Sequence, residues 1–294
     1  MTAATAFVCA TCGTLFPAAG EPPAVCPICE DVRQYVPDGG QRWTSMAELG
    51  SRHANRIDRI EPDLYALRSE PRIGIGQRAL LVRTPEGNVL WDCLTLCDRP
   101  TIEAVRSLGG VRAIAISHPH YYSAHRSWAE AFDAPVYLHG ADRDWVVDPH
   151  PRLRSWEGDE LPLPGGLRLV RAGGHFPGGT VLLWPDGAGG SGALLSGDIL
   201  QVVPDRATVG FMYSYPNYLP LPAWEVDAVA DAVLRLPFDR IHGAFEGGSI
   251  GQGAREAVQR GRRRYREALA GALPGLRPGP GGRPPAEDEG PAAS

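Results

Sequence analysis

The sequence contains 294 residues, 43% of them hydrophobic, and carries a formal net charge of −5 at pH 7. This length fits one large domain, alone or with a small module, and the negative charge argues against a nucleic-acid partner. All 29 basic side chains are arginine, which excludes Schiff-base lysine chemistry and a Walker A phosphate loop. The sequence shows neither an apolar run of about 20 residues, as a membrane helix needs, nor a secretory signal. We therefore expect a cytoplasmic protein that has no membrane partner and acts on a small molecule.

Four cysteines near the N-terminus form two Cys-x-x-Cys pairs, Cys9 with Cys12 and Cys26 with Cys29. Thirteen residues separate the two pairs. Four thiolates arranged in this way can bind one metal ion in a tetrahedron. Residues 1–38 are too few to bury a large core, so metal binding would have to drive their folding. The alternative is two disulfides or free thiols, and a reducing compartment disfavours the disulfides.

This module resembles a zinc ribbon and also the rubredoxin-like module of rubrerythrins, where Gly13 matches the glycine after the first cysteine pair. The resemblance implies zinc in the first case, and iron with electron transfer in the second. We favour zinc and keep iron as the alternative. Residues 39–55 follow as a predicted linker, beginning at a Gly-Gly pair.

Short apolar strands and amphipathic helices alternate through residues 56–272, which predicts a mixed α/β domain. A Pro-Glu-Gly-Asn turn separates the strands predicted at 79–84 and 89–93, as in an antiparallel hairpin. The aromatic stretch 211–218 is irregular and is interpreted either as a loop over a substrate pocket or as packing between sheets. The tail, residues 273–294, is rich in proline, glycine and acidic residues and is predicted to be disordered.

Potential metal ligands follow four of the predicted strands. They are His118 and His120, then His175 in a glycine-rich loop, then Asp198, and finally His242. Histidine and aspartate are common ligands of zinc and iron. Each residue alone is more often structural than functional, but their recurrence at strand ends indicates a shared site.

The order His-x-His, Gly-Gly-His-x-x-Gly, Ser-Gly-Asp and a late His resembles the metallo-β-lactamase superfamily. Residues 156–198 are particularly similar to the glyoxalase II branch. The resemblance covers about residues 56–272 and implies an αββα sandwich with metal at one edge. It also implies that His118, His120 and His175 form the first metal site, that Asp198 bridges to a second, and that His242 is the late second-site histidine.

The sequence departs from the family pattern His-x-His-x-Asp-His at two positions, where it has Tyr122 and Ser123. In the family these two positions are central to the second metal. We therefore predict a single metal ion in this domain, zinc with iron possible. Tyr122 could supply a phenol donor at the site, or it could be a packed aromatic residue.

We expect hydrolysis of an ester, thioester or lactone by a metal-bound water, because three histidines leave one coordination position open. Asp198 would be a general base or a further ligand, and His242 and Tyr122 are the other catalytic candidates. One alternative is an iron site of His118, His175 and Asp198, which resembles the persulfide dioxygenases. The other alternative is a metal-stabilised binding protein without catalytic activity.

Overall fold

The computed structural model of the protein describes residues 4–275. The predicted disordered tail therefore lies almost entirely outside the described residues. Within 4–275, no helix combines the length and the hydropathy of a membrane span. The strands are β1 Thr5–Cys9, β2 Leu15–Ala19, β3 Trp43–Ser45, β4 Ala54–Glu61, β5 Leu64–Glu70, β6 Ala79–Val82, β7 Val89–Trp91, β8 Ala113–Ala115, β9 Val136–His139, β10 Leu153–Trp156, β11 Glu160–Pro162, β12 Arg168–Arg171, β13 Thr180–Trp184, β14 Ala193–Gly197, β15 Gln201–Val202, β16 Val209–Gly210, β17 Met212–Ser214, β18 Leu219–Pro220, β19 Arg240–Gly243 and β20 Ser249–Ile250. The helices are α1 Pro27–Glu30, α2 Met46–Arg52, α3 Arg99–Ser107, α4 His125–Phe132, α5 Gly187–Gly190, α6 Ala223–Leu234 and α7 Ala254–Leu269.

Two large sheets form the centre of the molecule. The first has seven strands in the order β10-β9-β8-β7-β6-β5-β4, antiparallel from β4 to β7 and parallel from β7 to β10. The second has six strands in the order β11-β12-β13-β14-β19-β20, in which only the β14–β19 pair is parallel. The predicted hairpin β6–β7 is present, with Leu81 opposite Leu90.

Alternating side chains on the strands separate three layers of core, because successive residues of a strand point to opposite faces. On β6, Leu81 faces the core that contains α3 and α4, whereas Leu80 faces the second sheet. On β13, Leu182 faces the first sheet, whereas Leu183 packs with α6 and α7. The order of layers is helix, sheet, sheet, helix, and the predicted αββα sandwich is confirmed.

The N-terminal module is a small three-stranded sheet in the order β2-β1-β3. Thr44 of β3 pairs with Val8 of β1, so part of the predicted linker completes this sheet. The helix α2 follows directly, with the Ser45 hydroxyl accepting a hydrogen bond from the Glu48 amide at its N-terminus. We call residues 4–45 the ribbon. The predicted domain boundaries at 38 and 55 stay predictions.

The ribbon lies directly against the large domain. The Leu15 amide donates to the Ser123 carbonyl (3.1 Å), and the Thr95 hydroxyl donates to the Gly13 carbonyl (2.9 Å). Gly74 has φ +56°, and a Cβ there would lie 2.7 Å from the carbonyl carbon of Cys12. Only glycine fits this close approach of two backbones. The ribbon thus reaches the loop that begins at His118.

Candidate metal centre

The four cysteines of the ribbon form a closed group. The Sγ atoms of Cys9 and Cys29 lie 3.5 Å apart and those of Cys12 and Cys26 lie 3.6 Å apart, and all four side chains are buried. Every cysteine of the chain is a free thiol, so the disulfide alternative is not what the structure contains. Tetrahedral zinc with Zn–S of about 2.3 Å would place its sulfurs about 3.8 Å apart. The group therefore fits one such ion.

Three histidines of the large domain form a second group. One ring nitrogen of each of His118, His120 and His175 lies within 4.8 Å of the others, and all three side chains are buried. A single 3₁₀ turn at Pro119–Tyr121 follows His118, and this turn brings His120 onto the same side. The loop after β12 delivers His175 to the same edge of the sandwich. Three of the five strand-end residues that the sequence indicated therefore lie together.

Hydrogen bonds fix the tautomer of His118. The Ser117 hydroxyl donates to Asp92 Oδ1 at 2.8 Å, so its oxygen is left as an acceptor for His118 Nδ1–H, also at 2.8 Å. The Ser117 amide donates to the same carboxylate oxygen. Such a carboxylate relay orients a ligating imidazole. The Nε2 lone pair of His118 is left facing the group.

His175 is oriented in the same way by backbone. Its Nδ1–H donates to the Met212 carbonyl of β17 (3.2 Å), which leaves Nε2 unprotonated and 3.1 Å from His120 Nδ1. Burial lowers the pKa of His175 to about 4 and lowers the pKa values of His118 and His120 well below the ordinary value. All three rings are neutral at pH 7, which is the form that binds metal.

The histidine group meets the requirements of a bound cation. His118 Nε2 is buried without a hydrogen-bond partner, and so is Oδ1 of the neighbouring Asp198. An orphaned buried lone pair is costly unless an ion or a water satisfies it. The 3.1 Å separation of the His120 and His175 nitrogens is close to the about 3.3 Å of two ligands on tetrahedral zinc. We conclude that these residues fit a metal ion.

Asp198 lies next to the three histidines and outside their ligand group. Its Oδ2 is 3.9 Å from His118 Nε2 and accepts a hydrogen bond from the Tyr121 hydroxyl at 2.6 Å. Burial raises the pKa of Asp198 to about 7, although the hydrogen bond from Tyr121 opposes the rise. Burial also raises the pKa of Tyr121 well above its ordinary value, so the phenol stays protonated. Asp198 as a ligand or a base stays a prediction.

The two neighbouring tyrosines have different partners. The hydroxyl of Tyr122 donates to the backbone carbonyl of Asp142 (3.3 Å), whereas that of Tyr121 reaches Asp198. The tyrosine that the sequence offered as a donor at the site therefore has a structural partner. The residue that donates to Asp198 is instead Tyr121, which the sequence did not indicate.

His242 is bound elsewhere and does not join the histidine group. Burial lowers the pKa of His242, so the neutral ring donates Nε2–H to Glu61 Oε1 (2.7 Å) and accepts from the Ser249 hydroxyl at Nδ1 (3.1 Å). Arg240 also pairs with Glu61. The expectation that His242 takes part at the metal site finds no support in this arrangement, because both ring nitrogens are already used.

The fold and the two groups define a class: an αββα protein whose strand-end histidines can hold a metal, with a four-cysteine ribbon attached. The model of the metallo-β-lactamase superfamily matches residues 73–244, and the chain belongs to this superfamily. This family membership was expected from the order of the histidine motifs, and it is confirmed.

One relative extends over almost the whole chain. The uncharacterized protein YmaE of Bacillus subtilis (strain 168) is 45% identical over 269 residues, which is 91% of this chain and 98% of its own. Among solved structures, the DIM-1 metallo-β-lactamase is similar with TM-score 0.57 at 15% identity, covering 73% of this chain and 98% of its own. VMB-1 is similar with TM-score 0.57 at 13% identity, covering 74% and 98%. Both structures support the fold.

Removing one histidine of the group should remove one metal ion. His175→Ala deletes one of the three histidines of the group, so the large domain should lose its ion while the ribbon keeps its own. Metal content per chain, measured on the intact protein by mass spectrometry, should fall from two ions to one. His53→Ala is the matched control, because His53 contacts only the Leu49 carbonyl with its ring and lies outside the group. Unchanged metal content in His175→Ala would refute the assignment.

Glu61→Gln should destabilise the fold without changing metal content. It removes a buried charge opposite Arg240, which costs about 3–5 kcal/mol in the free energy of unfolding. Glu103→Gln, in an exposed pair with Arg99, should cost less than about 1 kcal/mol. Urea unfolding at pH 7 measures both changes.

The same variant should show a pH dependence. Burial alone would raise the pKa of Glu61, but the hydrogen bond from His242 and the charge of Arg240 hold that pKa below its ordinary value. The stabilisation is then fully present above the unfolded-state pKa of about 4.3 and is lost as the pH falls below it. The difference between wild type and Glu61→Gln should shrink in acid, and a constant difference would contradict this account.

Proposed function

We propose that the protein is a metal-dependent hydrolase of an ester, thioester or lactone with one metal ion in its large domain. The supporting observation is the convergence of three neutral, buried imidazoles beside a carboxylate with an open oxygen. A zinc ion bound there would polarise a carbonyl and activate water for attack. The family positions of a second metal are Tyr122 and Ser123 here, which supports a single ion.

Asp198 would accept the proton released in the reaction, and Tyr121 would position Asp198. Asp198 Oδ2 is occupied by the Tyr121 hydroxyl, while Oδ1 is buried and has no partner. Oδ1 is therefore the proposed acceptor for a proton that leaves the attacking water. The Tyr121 hydroxyl holds the carboxylate in one orientation and leaves Oδ1 as the oxygen without a partner.

A cleft of about 830 Å³ borders the loop that leads to His175, and we propose that it receives the substrate, although the three histidines and Asp198 do not themselves line it. Its wall includes Gly173 and Gly174, directly before His175, together with Tyr213, Trp224 and Arg33. Trp224 is 70% exposed, so its ring is available for contact with an apolar or planar acyl group. A volume of this size is typical of small-molecule sites.

Turnover assays on metal-defined protein test the proposed reaction. The zinc form should hydrolyse at least one member of a panel of thioesters, lactones and aryl esters, without consuming oxygen. Oxygen uptake with a persulfide by the iron form, and no acyl hydrolysis by either form, would support a dioxygenase. Full metal occupancy without any turnover would support a binding role.

Tyr121→Phe should lower kcat and leave KM nearly unchanged. It removes a hydrogen bond to a charged group, worth about 1.5–3 kcal/mol, which corresponds to about 10–150-fold in rate. Steady-state kinetics on the substrate found in the panel measure the loss. Tyr122→Phe removes a long bond to a backbone carbonyl and should change kcat by less than about 3-fold. The reverse order of effects would assign the role to Tyr122.

A further inference from the structure

We infer that Arg33, a residue of the ribbon, is a positioning residue of the histidine group, and that it couples the metal state of the four cysteines to metal binding by the histidines. The inference uses both metal groups and does not depend on the hydrolytic reaction. It assigns to the ribbon a role in the large domain's site.

Arg33 sits in a short segment that follows the last cysteine of the ribbon. We call Asp31–Gln34 the clamp segment. Asp31 accepts hydrogen bonds from Arg33 Nε (2.6 Å), from Arg33 Nη2 (3.0 Å) and from the Arg33 amide (2.9 Å). The Gln34 amide donates to the Asp31 carbonyl at 2.9 Å and closes a turn. The guanidinium is therefore held in one orientation.

Side chains of the large domain donate hydrogen bonds to the backbone of the clamp segment. The Ser214 hydroxyl donates to the Arg33 carbonyl (3.1 Å). The side-chain amide of Asn217 donates to the carbonyls of Val32 and Gln34, each at 2.8 Å. These donors belong to the aromatic stretch 211–218, which the sequence left open as either a loop over a substrate pocket or packing between sheets. Hydrogen bonds from the large domain thus hold the backbone of the clamp segment in place.

The guanidinium of Arg33 contacts the loop that carries His175. Arg33 Nη1 donates to the His175 carbonyl (3.4 Å), and the Arg33 Cζ lies 3.8 Å from the ring centroid of Phe176. The Phe176 ring in turn lies with its centroid 4.9 Å from that of His120 and 5.2 Å from that of His175. The ring centroid of Trp145 lies 5.6 Å from that of Phe176. Arg33 therefore contacts the backbone of one ligand residue directly and the rings of His120 and His175 through Phe176.

Two opposing effects of Arg33 on a bound cation can be compared. Its positive charge would repel a metal ion, but the double contact with Asp31 cancels most of that field. Its contacts with Phe176 and the His175 carbonyl hold the ligand loop, and the pair is largely shielded from water, with Arg33 and Asp31 side chains 9% and 15% exposed. Positioning should therefore dominate over repulsion, and loss of Arg33 should weaken metal binding.

The cysteine group controls where the clamp segment begins. Cys26 precedes α1, Cys29 lies within it, and Asp31 follows its last residue. When the four thiolates share an ion, Cys29 is fixed and the clamp segment is anchored at one end. When that ion leaves, the clamp segment is held only by the large domain. Release of metal from the ribbon should then loosen the histidine group.

Cobalt substitution of the full-length protein separates the two groups by spectroscopy. Cobalt on thiolates gives charge-transfer absorption together with strong d–d bands, whereas cobalt on the histidine group gives weaker d–d bands at shorter wavelength and no charge transfer from sulfur. Arg33→Ala should shift those d–d bands and weaken cobalt binding by the histidines about 10–100-fold in a chelator titration. The thiolate bands should persist. Arg33→Lys should recover part of the affinity, and Arg42→Ala, an exposed arginine of the ribbon, should match wild type.

A second pair of measurements covers variants that do not fold. Asn217→Ala leaves Arg33 intact but releases two backbone contacts of the clamp segment, and it should weaken the histidine cobalt as well. A mercurial that strips the ribbon metal removes the thiolate bands in both proteins, and the remaining d–d bands of the histidine group should shift in wild type and change little in Arg33→Ala. Unchanged or tighter cobalt binding in Arg33→Ala with intact thiolate bands overturns the inference. If that variant does not fold, unchanged binding in both Arg33→Lys and Asn217→Ala overturns it.

Discussion

The site depends on keeping three imidazoles uncharged at one buried point. Burial lowers the pKa of each ring, so the nitrogens remain free to bind metal at pH 7. The same burial would be unfavourable for unpaired lone pairs, so the protein fixes the rings with partners on their outer sides. Ser117 orients His118 and the Met212 carbonyl orients His175. The two sheets supply the rigid edge from which these loops project.

The positions that distinguish this chain from the family pattern now serve packing. Ser123 accepts a hydrogen bond from the Leu15 amide of the ribbon through its carbonyl, and its hydroxyl accepts from Gln77 (3.0 Å). Tyr122 is buried and reaches the Asp142 carbonyl. At these two positions the side chains are therefore engaged within the large domain, and the Ser123 backbone contacts the ribbon. This is a physical reason to expect one ion in the large domain.

The residues alone indicated strands, helices and ligand types at strand ends, which are local signals. The αββα layers and the grouping of His118, His120 and His175 were expected from the resemblance to the metallo-β-lactamase superfamily. The sequence could not predict Tyr121, since a tyrosine inside the motif has the same appearance whether it packs or donates. The role of Arg33 could not be predicted either, because its contact with His175 joins residues 142 positions apart in the sequence. His242 was placed at the site by motif order, but the structure gives it to Glu61, a residue with no sequence signal.

The seating of the ribbon has a consequence for how this protein can be divided. Trp145 packs both on Phe176 and on the apolar residues around the four cysteines. A shortened chain that begins at the first strand of the sandwich would leave this tryptophan and the neighbouring ligand loop open to solvent. The ribbon therefore cannot be removed without exposing residues that pack around the histidine group.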